Sequence, residues 1–233
     1  LLFLRSKYLL KLYWDIEYRF ILNFNQRAIY EKRKSSQQQA GITTFDLSNE
    51  SWIEQNLYVG KFQLEPGSDY ENIMLKDSDF RSKYGLIIID VLRNDEELFF
   101  PNGDFVLLAN DVITVVGNIM QINLLKTVKN KIILDNDSLK TIHEFARIQD
   151  EDPDSEIKCI SLVIDKESGL YDKSLLESEM GRKGRAFVIG IERNSGYEIN
   201  PPASAVFLEN DIIWIVGNKK SIHNIVNENF HCH

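Results

Sequence analysis

Two stretches of this sequence decide its fold: Leu107–Asn118, which reads LLANDVITVVGN, and Phe207–Asn218, which reads FLENDIIWIVGN. They lie 100 residues apart, and the similarity extends in both directions at that same offset without a gap. Two copies predict two similar modules rather than a solenoid, which needs three or more repeats. The upstream matches are Leu86–Asn94 (LIIIDVLRN) with Ala186–Asn194 (AFVIGIERN), and Pro101 with Pro201.

Each copy is predicted to fold as a small α+β unit with the element order β-α-β-β-β-α. Apolar runs indicate the strands, and Asn72 and Asp172 are expected to cap a short helix in each copy. The pairs Asn110-Asp111 and Asn210-Asp211 predict tight turns, because asparagine tolerates a positive φ. Residue ranges are predicted for three of the four strands in each copy: Tyr58–Leu64, Leu86–Leu92 and Val112–Val116 in the first, and Lys158–Ile164, Phe187–Ile191 and Ile212–Val216 in the second. The predicted helices are 73–81, 119–130, 173–181 and 219–229.

The expected division of the chain follows from the repeat and from shifts in composition. The polar, small residues after position 34 predict a flexible linker, and Ser138–Gln149 is predicted to be helical. The expected parts are a juxtamembrane amphipathic helix (1–34), a linker (35–50), a first module (51–131), a helical and acidic linker (132–156) and a second module (157–233).

The charge of the chain is unevenly distributed. The 233 residues carry a net charge of −8, which argues against a protein that tracks nucleic-acid phosphates. Residues 1–40, however, hold eight basic and three acidic side chains, so this head is positive and the rest is strongly acidic. The two cysteines cannot form a disulfide framework and predict a reducing compartment. No initiating Met is present, and we expect a fragment of a longer protein.

Residues 7–31 are predicted to form one amphipathic helix, with two alternatives for its apolar stripe. The stripe could pack on the body of the protein. Alternatively, residues 1–4 could end a transmembrane segment, so that the helix and the basic cluster 32–34 would lie just inside the cytoplasm. The stripe consists of Leu9, Tyr13, Ile16, Phe20 and Phe24.

The repeat resembles the C-terminal domain of regulators of potassium conductance, also called the TrkA-C or RCK-C domain. The second copy has the pattern as IGIER (189–193), Pro201, Asn210-Asp211 and IIWIVG (212–217). The family usually has Gly-Asp where both copies have Asn-Asp. The resemblance covers about 58–130 and 158–230. Residues 17–27 also resemble the segment after the last transmembrane helix in bacterial monovalent cation:proton antiporters with tandem TrkA-C domains.

The resemblance implies a regulatory region at the cytoplasmic face of the inner (plasma) membrane, with no enzymatic activity. Such domains form dimers and bind small effectors at the dimer seam, and cyclic di-AMP is the effector in some members. We therefore expect a homodimer, cyclic di-AMP or another small anionic effector, and no nucleic acid. The expected partners are a transmembrane antiporter domain of the same chain and, through the N-terminal helix, the membrane surface. The G-x-G-x-x-G loop of NAD or ATP binding is absent.

The family's seam positions identify the candidate ligand-binding residues. Arg93 and Arg193 are ambiguous: a guanidinium suits a phosphate, but either could instead cap a turn or pair with a carboxylate such as Asp90 or Glu192. Phe100 replaces Asn200, which argues against one ligand for both copies. The candidates are Phe187, Val188, Arg193, Ile199, Asn200 and Pro201 in the second copy, and Ile87, Ile88, Arg93, Phe99, Phe100 and Pro101 in the first.

Other candidate residues have a plainer interpretation. The basic cluster Arg182-Lys183-Gly184-Arg185 could attract an anion or form a solvated loop. Cys159 is predicted to be a small core residue. His143 has no partner at metal-binding spacing, and His223 is expected to lie on the surface of the last helix. Residues 231–233 could bind a metal only at a fraying terminus. No metal site is expected.

Three functions remain open from the sequence. The first is a gating region of a potassium or sodium cation:proton antiporter, biased by an effector at the seam. The second is an assembly module that dimerises a transporter without any ligand. The third is a regulatory domain of an anion permease or a chloride-type transporter.

Overall fold

The computed structural model describes residues 56–128, 131–152, 155–180, 186–193 and 196–229. These residues form two antiparallel sheets and three α-helices, which confirms the predicted α+β class. Several predictions concern segments outside the described residues: the helix 7–31, the basic residues 32–34, the linker 35–50, the cluster 182–185 and the terminal residues 231–233.

The first module is a five-stranded antiparallel sheet with the strand order β3-β2-β4-β1-β5. Its central strands β2 and β4 are buried along nearly their whole length, because both faces of the sheet are covered. The elements are β1 (Leu57–Leu64), β2 (Ile87–Arg93), β3 (Glu96–Phe99), β4 (Val112–Asn118), α1 (Ile119–Val128), β5 (Ile132–Thr141) and α2 (Ile142–Glu151).

The second module is a four-stranded antiparallel sheet with the strand order β6-β9-β7-β8. It repeats the first module without the added edge strand β5. Its elements are β6 (Ile157–Val163), β7 (Ala186–Arg193), β8 (Gly196–Ile199), β9 (Ile212–Asn218) and α3 (Lys219–Asn229).

The register shifts and turn conformations of the two modules also repeat at the offset of 100 residues. The register of β2 against β4 shifts between Ile88 and Asp90, and that of β7 against β9 shifts between Val188 and Gly190. Asn110 and Asn210 both have a φ of 68°, as predicted for the tight turns. The two modules are therefore one fold, including its irregularities.

The short helices predicted for 73–81 and 173–181 are wrong. The first region has only a 3₁₀ turn at Leu75–Asp77, and residues 173–179 of the second have a bridge and turns. Asn72 and Asp172 are not N-caps, since their φ values are 64° and 60°. The backbone of each of these segments pairs with the segment before the Asn-Asp turn of its module. Its N–H groups donate to carbonyl groups of that segment rather than to carbonyl groups within a helix. The bonds are Asn72 to Leu107, Leu75 to Phe105, Asp172 to Phe207 and Leu175 to Ala205.

The helix predicted for Ser138–Gln149 begins later than expected. Ser138–Thr141 belong to β5, which pairs with β1. Helix α2 starts at Ile142 because Thr141 and Glu144 form a capping box: each side chain accepts a hydrogen bond from the backbone N–H of the other.

Three hydrophobic clusters hold the fold together, and one of them joins the modules. One cluster lies inside each module. The third lies between the two sheets, and we call it the seam. The two modules therefore pair within one chain. The buried residues of the seam are Leu57, Val59, Ile87, Ile89, Phe100, Val116, Ile142, Phe145, Ile157, Ile189, Ile212, Trp214 and Val216.

Candidate functional site

The arginine at the end of β2 forms a two-pronged ion pair. The Arg93 Nε and Nη2 atoms each donate to one carboxylate oxygen of Asp111, at 2.7 Å. Nη2 also donates to the Val106 carbonyl at 2.8 Å, and the Leu108 N–H donates to Asp111 at 2.8 Å. The Asp111 side chain is fully buried. This pair fixes the Asn-Asp turn against the end of the strand.

The second module repeats this arrangement with Arg193 and Asp211. Nε lies 3.2 Å from both carboxylate oxygens, and Nη2 donates to the Val206 carbonyl at 2.8 Å. Both arginines thus pair with a carboxylate, but with the aspartate of the turn rather than with Asp90 or Glu192. The hydrogen bond to Asp111 raises the pKa of Arg93, and desolvation acts in the opposite direction. Both guanidinium groups are already occupied within their modules.

Aromatic rings from the two modules meet at the seam. The centroids of the Phe100 and Phe187 rings lie 6.0 Å apart. Phe100 is 4% exposed and has a φ of 51°, and Asn200 at the aligned position has the same φ. Asparagine accepts this conformation readily, whereas a bulky side chain adopts it rarely.

Two cavities open along the seam. The first, of about 310 Å³, is formed by the first module and by Phe187 of the second. Four candidate residues line it: Ile87, Ile88, Pro101 and Phe187. The other lining residues are Leu75, Lys76, Ser78, Asp79, Phe80, Arg81, Ser82, Leu86 and Gly103.

The second cavity is larger, at about 530 Å³, and is formed by the second module together with Arg81 of the first. The structure brings four candidate residues together in its lining: Phe187, Val188, Asn200 and Pro201. The remaining lining residues are Leu175, Leu176, Glu179, Ala186, Pro202 and Ala203. Among the residues described, neither cavity is lined by Arg93, Arg193, Ile199, Phe99 or Phe100.

Sequence reasoning missed Arg81, which lines both cavities. Its Nε donates to the side-chain oxygen of Asn200 at 3.2 Å, so this bond crosses the seam. Arg81 is exposed by surface area, yet neighbouring atoms desolvate its guanidinium enough to lower its pKa. The available signal was a break in the repeat, because the aligned residue in the second copy is Gly181.

Asp90 is a second residue that the sequence did not identify as a site residue. Its carboxyl group is buried. Asp90 is 5% exposed and faces Thr114 across β2 and β4. Burial raises the pKa of Asp90 to about 6, against opposing effects of Thr114 and Lys61. The Thr114 hydroxyl is close enough to act on the carboxyl but forms no hydrogen bond of normal geometry.

The remaining candidates lie apart from the cavities. Cys159 packs against the seam cluster, as predicted for a small core residue. His143 is exposed on α2, and His223 on α3 contacts Asn227 at 2.8 Å. Among the described residues, no three His, Cys, Asp or Glu side chains group in a way that could hold a metal ion.

Comparison with known families identifies both modules. The TrkA-C domain family matches residues 60–129 and 159–228, which together are more than half of the chain. The chain belongs to the TrkA-C domain family. Its two TrkA-C modules are arranged in tandem and correspond to the two halves of the sequence repeat. None of the curated proteins compared with the chain matches it.

Solved structures similar to this chain include RCK domains. The RCK C domain of the potassium transport protein KtrA, in complex with cyclic di-AMP, is 23% identical over 30% of this chain and 79% of that one, with a TM-score of 0.27. An RCK domain described "with cda" is 30% identical over 31% and 94%, with a TM-score of 0.26. The GsuK RCK domain is 10% identical over 74% and 63%, with a TM-score of 0.33.

Within the described part of the chain, none of the helices combines the length and the apolar character needed to cross a bilayer.

Proposed function

We propose that this chain is the cytoplasmic regulatory region of a potassium or sodium cation:proton antiporter, and that a small effector binds at the seam. The observation that carries the proposal is the pairing of two TrkA-C modules around cavities lined by residues of both. Similar RCK domains have been solved with cyclic di-AMP, and the GsuK channel has been solved with NAD. Cyclic di-AMP or another small anion is therefore the proposed effector.

The proposed mechanism is a shift between two arrangements of the modules. An effector can bias transport only by the difference in its affinity for the two arrangements, and such coupling is typically about 1–3 kcal/mol. We assign this sensing to the modules 51–131 and 157–233, and its transmission to the membrane to the helix within 1–34. The linker 35–50 and the residues between α2 and β6 would connect these parts. In cells, two such chains would associate as a homodimer. Each would lie next to the antiporter domain of its own chain.

The proposal is tested with the intact transporter reconstituted in lipid vesicles. Cation-dependent proton flux is measured with cyclic dinucleotides, mononucleotides and monovalent cations added on the side that exposes the modules. A change in flux with one of these effectors is expected. A flux that responds to none of them would contradict the regulatory role.

A second candidate function, ligand-free assembly, is favoured by the ion pairs of Arg93 and Arg193. Both guanidinium groups are held by buried aspartates, so they contribute to the fold of each module before any ligand binds. The discriminating observation is the response of the flux to the added effectors. A flux that changes with an effector would favour sensing, whereas a flux that responds to no effector while the oligomeric state is intact would favour assembly.

A further inference from the structure

The two sides of the seam differ chemically although the modules share one fold. Both cavities include residues from the far module, but the second is larger by about 200 Å³. Three sequence differences involve residues that lie at the seam or line its cavities: Ile87 aligns with Phe187, Phe100 aligns with Asn200, and Arg81 aligns with Gly181, which is outside the described residues. A molecule with two equal halves would therefore meet two different surfaces.

The difference between Phe100 and Asn200 fills the seam on the side of the first cavity and leaves space on the side of the second. Phe100 is buried among the residues of the seam cluster, in contact with the Phe187 ring. Asn200 has the same backbone conformation, but its shorter polar side chain lines the second cavity. The second side therefore has room and a polar group where the first side has a buried ring.

The third difference, Arg81, supplies the one positive charge among the described residues that line the second cavity. Among the described residues, no carboxylate lies within ion-pair distance of Arg81, and its one hydrogen bond goes from Nε to Asn200. The two Nη groups are left as donors at the wall of the cavity. Arg93 and Arg193 differ in this respect, because the carboxylates of Asp111 and Asp211 already occupy them.

The lining of the second cavity indicates the chemistry of the rest of the ligand. Apart from Arg81, Asn200 and Glu179, the described residues of its lining are apolar, and Phe187 presents a flat ring. Glu179 is the acidic residue among the described lining residues. A volume of about 530 Å³ falls in the range usual for sites that bury a small ligand.

Building on the proposed effector role of the seam, we propose that the second cavity binds one unsymmetrical ligand per chain: a monophosphate that carries a flat ring system. The phosphate would contact the Nη groups of Arg81, because a guanidinium fork matches two phosphate oxygens. The flat group would lie against Phe187. A mononucleotide has this chemistry. A two-fold symmetric dinucleotide would place its second phosphate where the repeat has no second Arg81.

The experiment is calorimetric titration of the full chain with adenosine monophosphate, cyclic di-AMP and inorganic phosphate. The mononucleotide is expected to bind once per chain and more tightly than either other probe. R81Q should weaken this binding by about tenfold to a hundredfold. The control K83Q removes the same charge two residues away, from a lysine that lines neither cavity, and should leave the affinity unchanged. A combined R182Q/K183Q/R185Q variant should also bind normally.

The outcomes separate this inference from the proposed function. If cyclic di-AMP binds more tightly, or if R81Q leaves the affinity unchanged, the inference is overturned while an effector site in this chain remains. Equal affinity for inorganic phosphate and the mononucleotide would overturn the role of the flat group. No binding of any probe by the folded chain would overturn the inference, and the flux measurement would then decide the proposed function separately.

Discussion

The ring of Phe100 in the first module lies against the ring of Phe187 in the second, with centroids 6.0 Å apart and planes inclined by 43°. Phe100 holds a φ of 51° in order to reach this position. A bulky residue pays about 1–3 kcal/mol for such a conformation. Burial of the whole ring offsets that cost, so the contact between the modules stabilises a locally unfavourable backbone.

Replacing Phe100 by alanine should lower the free energy of unfolding by about 3 kcal/mol, because it leaves a cavity at the seam. Urea unfolding followed by circular dichroism measures the change. The control is L98A on the adjacent strand, since Leu98 is 41% exposed and should cost little. A Phe100→Ala variant as stable as the control would show that the ring contact does not hold the modules together.

Replacing Asp111 by asparagine should destabilise the protein by about 2–3 kcal/mol, because it removes the buried partner of Arg93. The Arg93 side chain is 31% exposed, and water that reaches it keeps the cost below that of a fully buried pair. The matched control is E209Q, which breaks the exposed pair of Glu209 and Lys166 and should cost about 0.5 kcal/mol or less. Equal losses in the two variants would contradict a structural role for the Arg93 ion pair.

Asp90 should make stability fall as the pH rises from about 4 to about 6. Burial raises its pKa from 3.8 to about 6, so the folded state holds this proton more tightly than the unfolded state does. As the carboxyl ionises above pH 4, the free energy of unfolding falls by about 2–3 kcal/mol in total. D90N should remove this part of the pH profile and be the more stable protein at pH 7, whereas D95N, at an exposed site, should change neither. The check is urea unfolding across this pH range, and identical profiles for D90N and the unmodified chain would refute the assignment.

Replacing Thr141 by alanine should cost about 1 kcal/mol, because it removes the side-chain cap of α2. The Thr141 hydroxyl accepts the N–H of Glu144 at 3.2 Å. The control is T127A, since the exposed Thr127 hydroxyl only donates to the carbonyl of Asn123 in its own helix. Thermal unfolding compares the two variants, and a loss no larger for T141A than for T127A would mean that the cap adds nothing.

The sequence predicted the parts of the fold that local chemistry determines. The apolar runs at β2 and β4 could be identified as strands because both faces of the sheet are buried, and the turn at Asn110 because asparagine accepts a positive φ. Edge strand β5 could not be found in this way, since Asp135, Asn136 and Asp137 have the composition of a turn. The short helices were predicted from apparent caps at Asn72 and Asp172, but long-range pairing of the backbone determines those segments.

The candidate site also contains both residues that local sequence patterns identify and residues that only the packing of the modules brings into place. Phe187, Val188, Asn200 and Pro201 could be named from their motif positions, and they do lie together in one cavity lining. Arg81 could not be found through a motif, because its place at the seam depends on how the two modules pair. The partner of Arg93 was also beyond local reasoning, since Asp111 is 18 residues away along the chain.

The pairing of the modules within one chain is tested most directly through Trp214, which is 6% exposed and belongs to the seam cluster. Replacing Trp14 and Trp52 by phenylalanine leaves Trp214 as the single tryptophan of the sequence. Quenching of its fluorescence by acrylamide is then measured from micromolar down to nanomolar protein. Pairing within the chain predicts that Trp214 stays shielded to the same degree at every concentration. Quenching that rises on dilution would contradict it, because the seam would then form between chains.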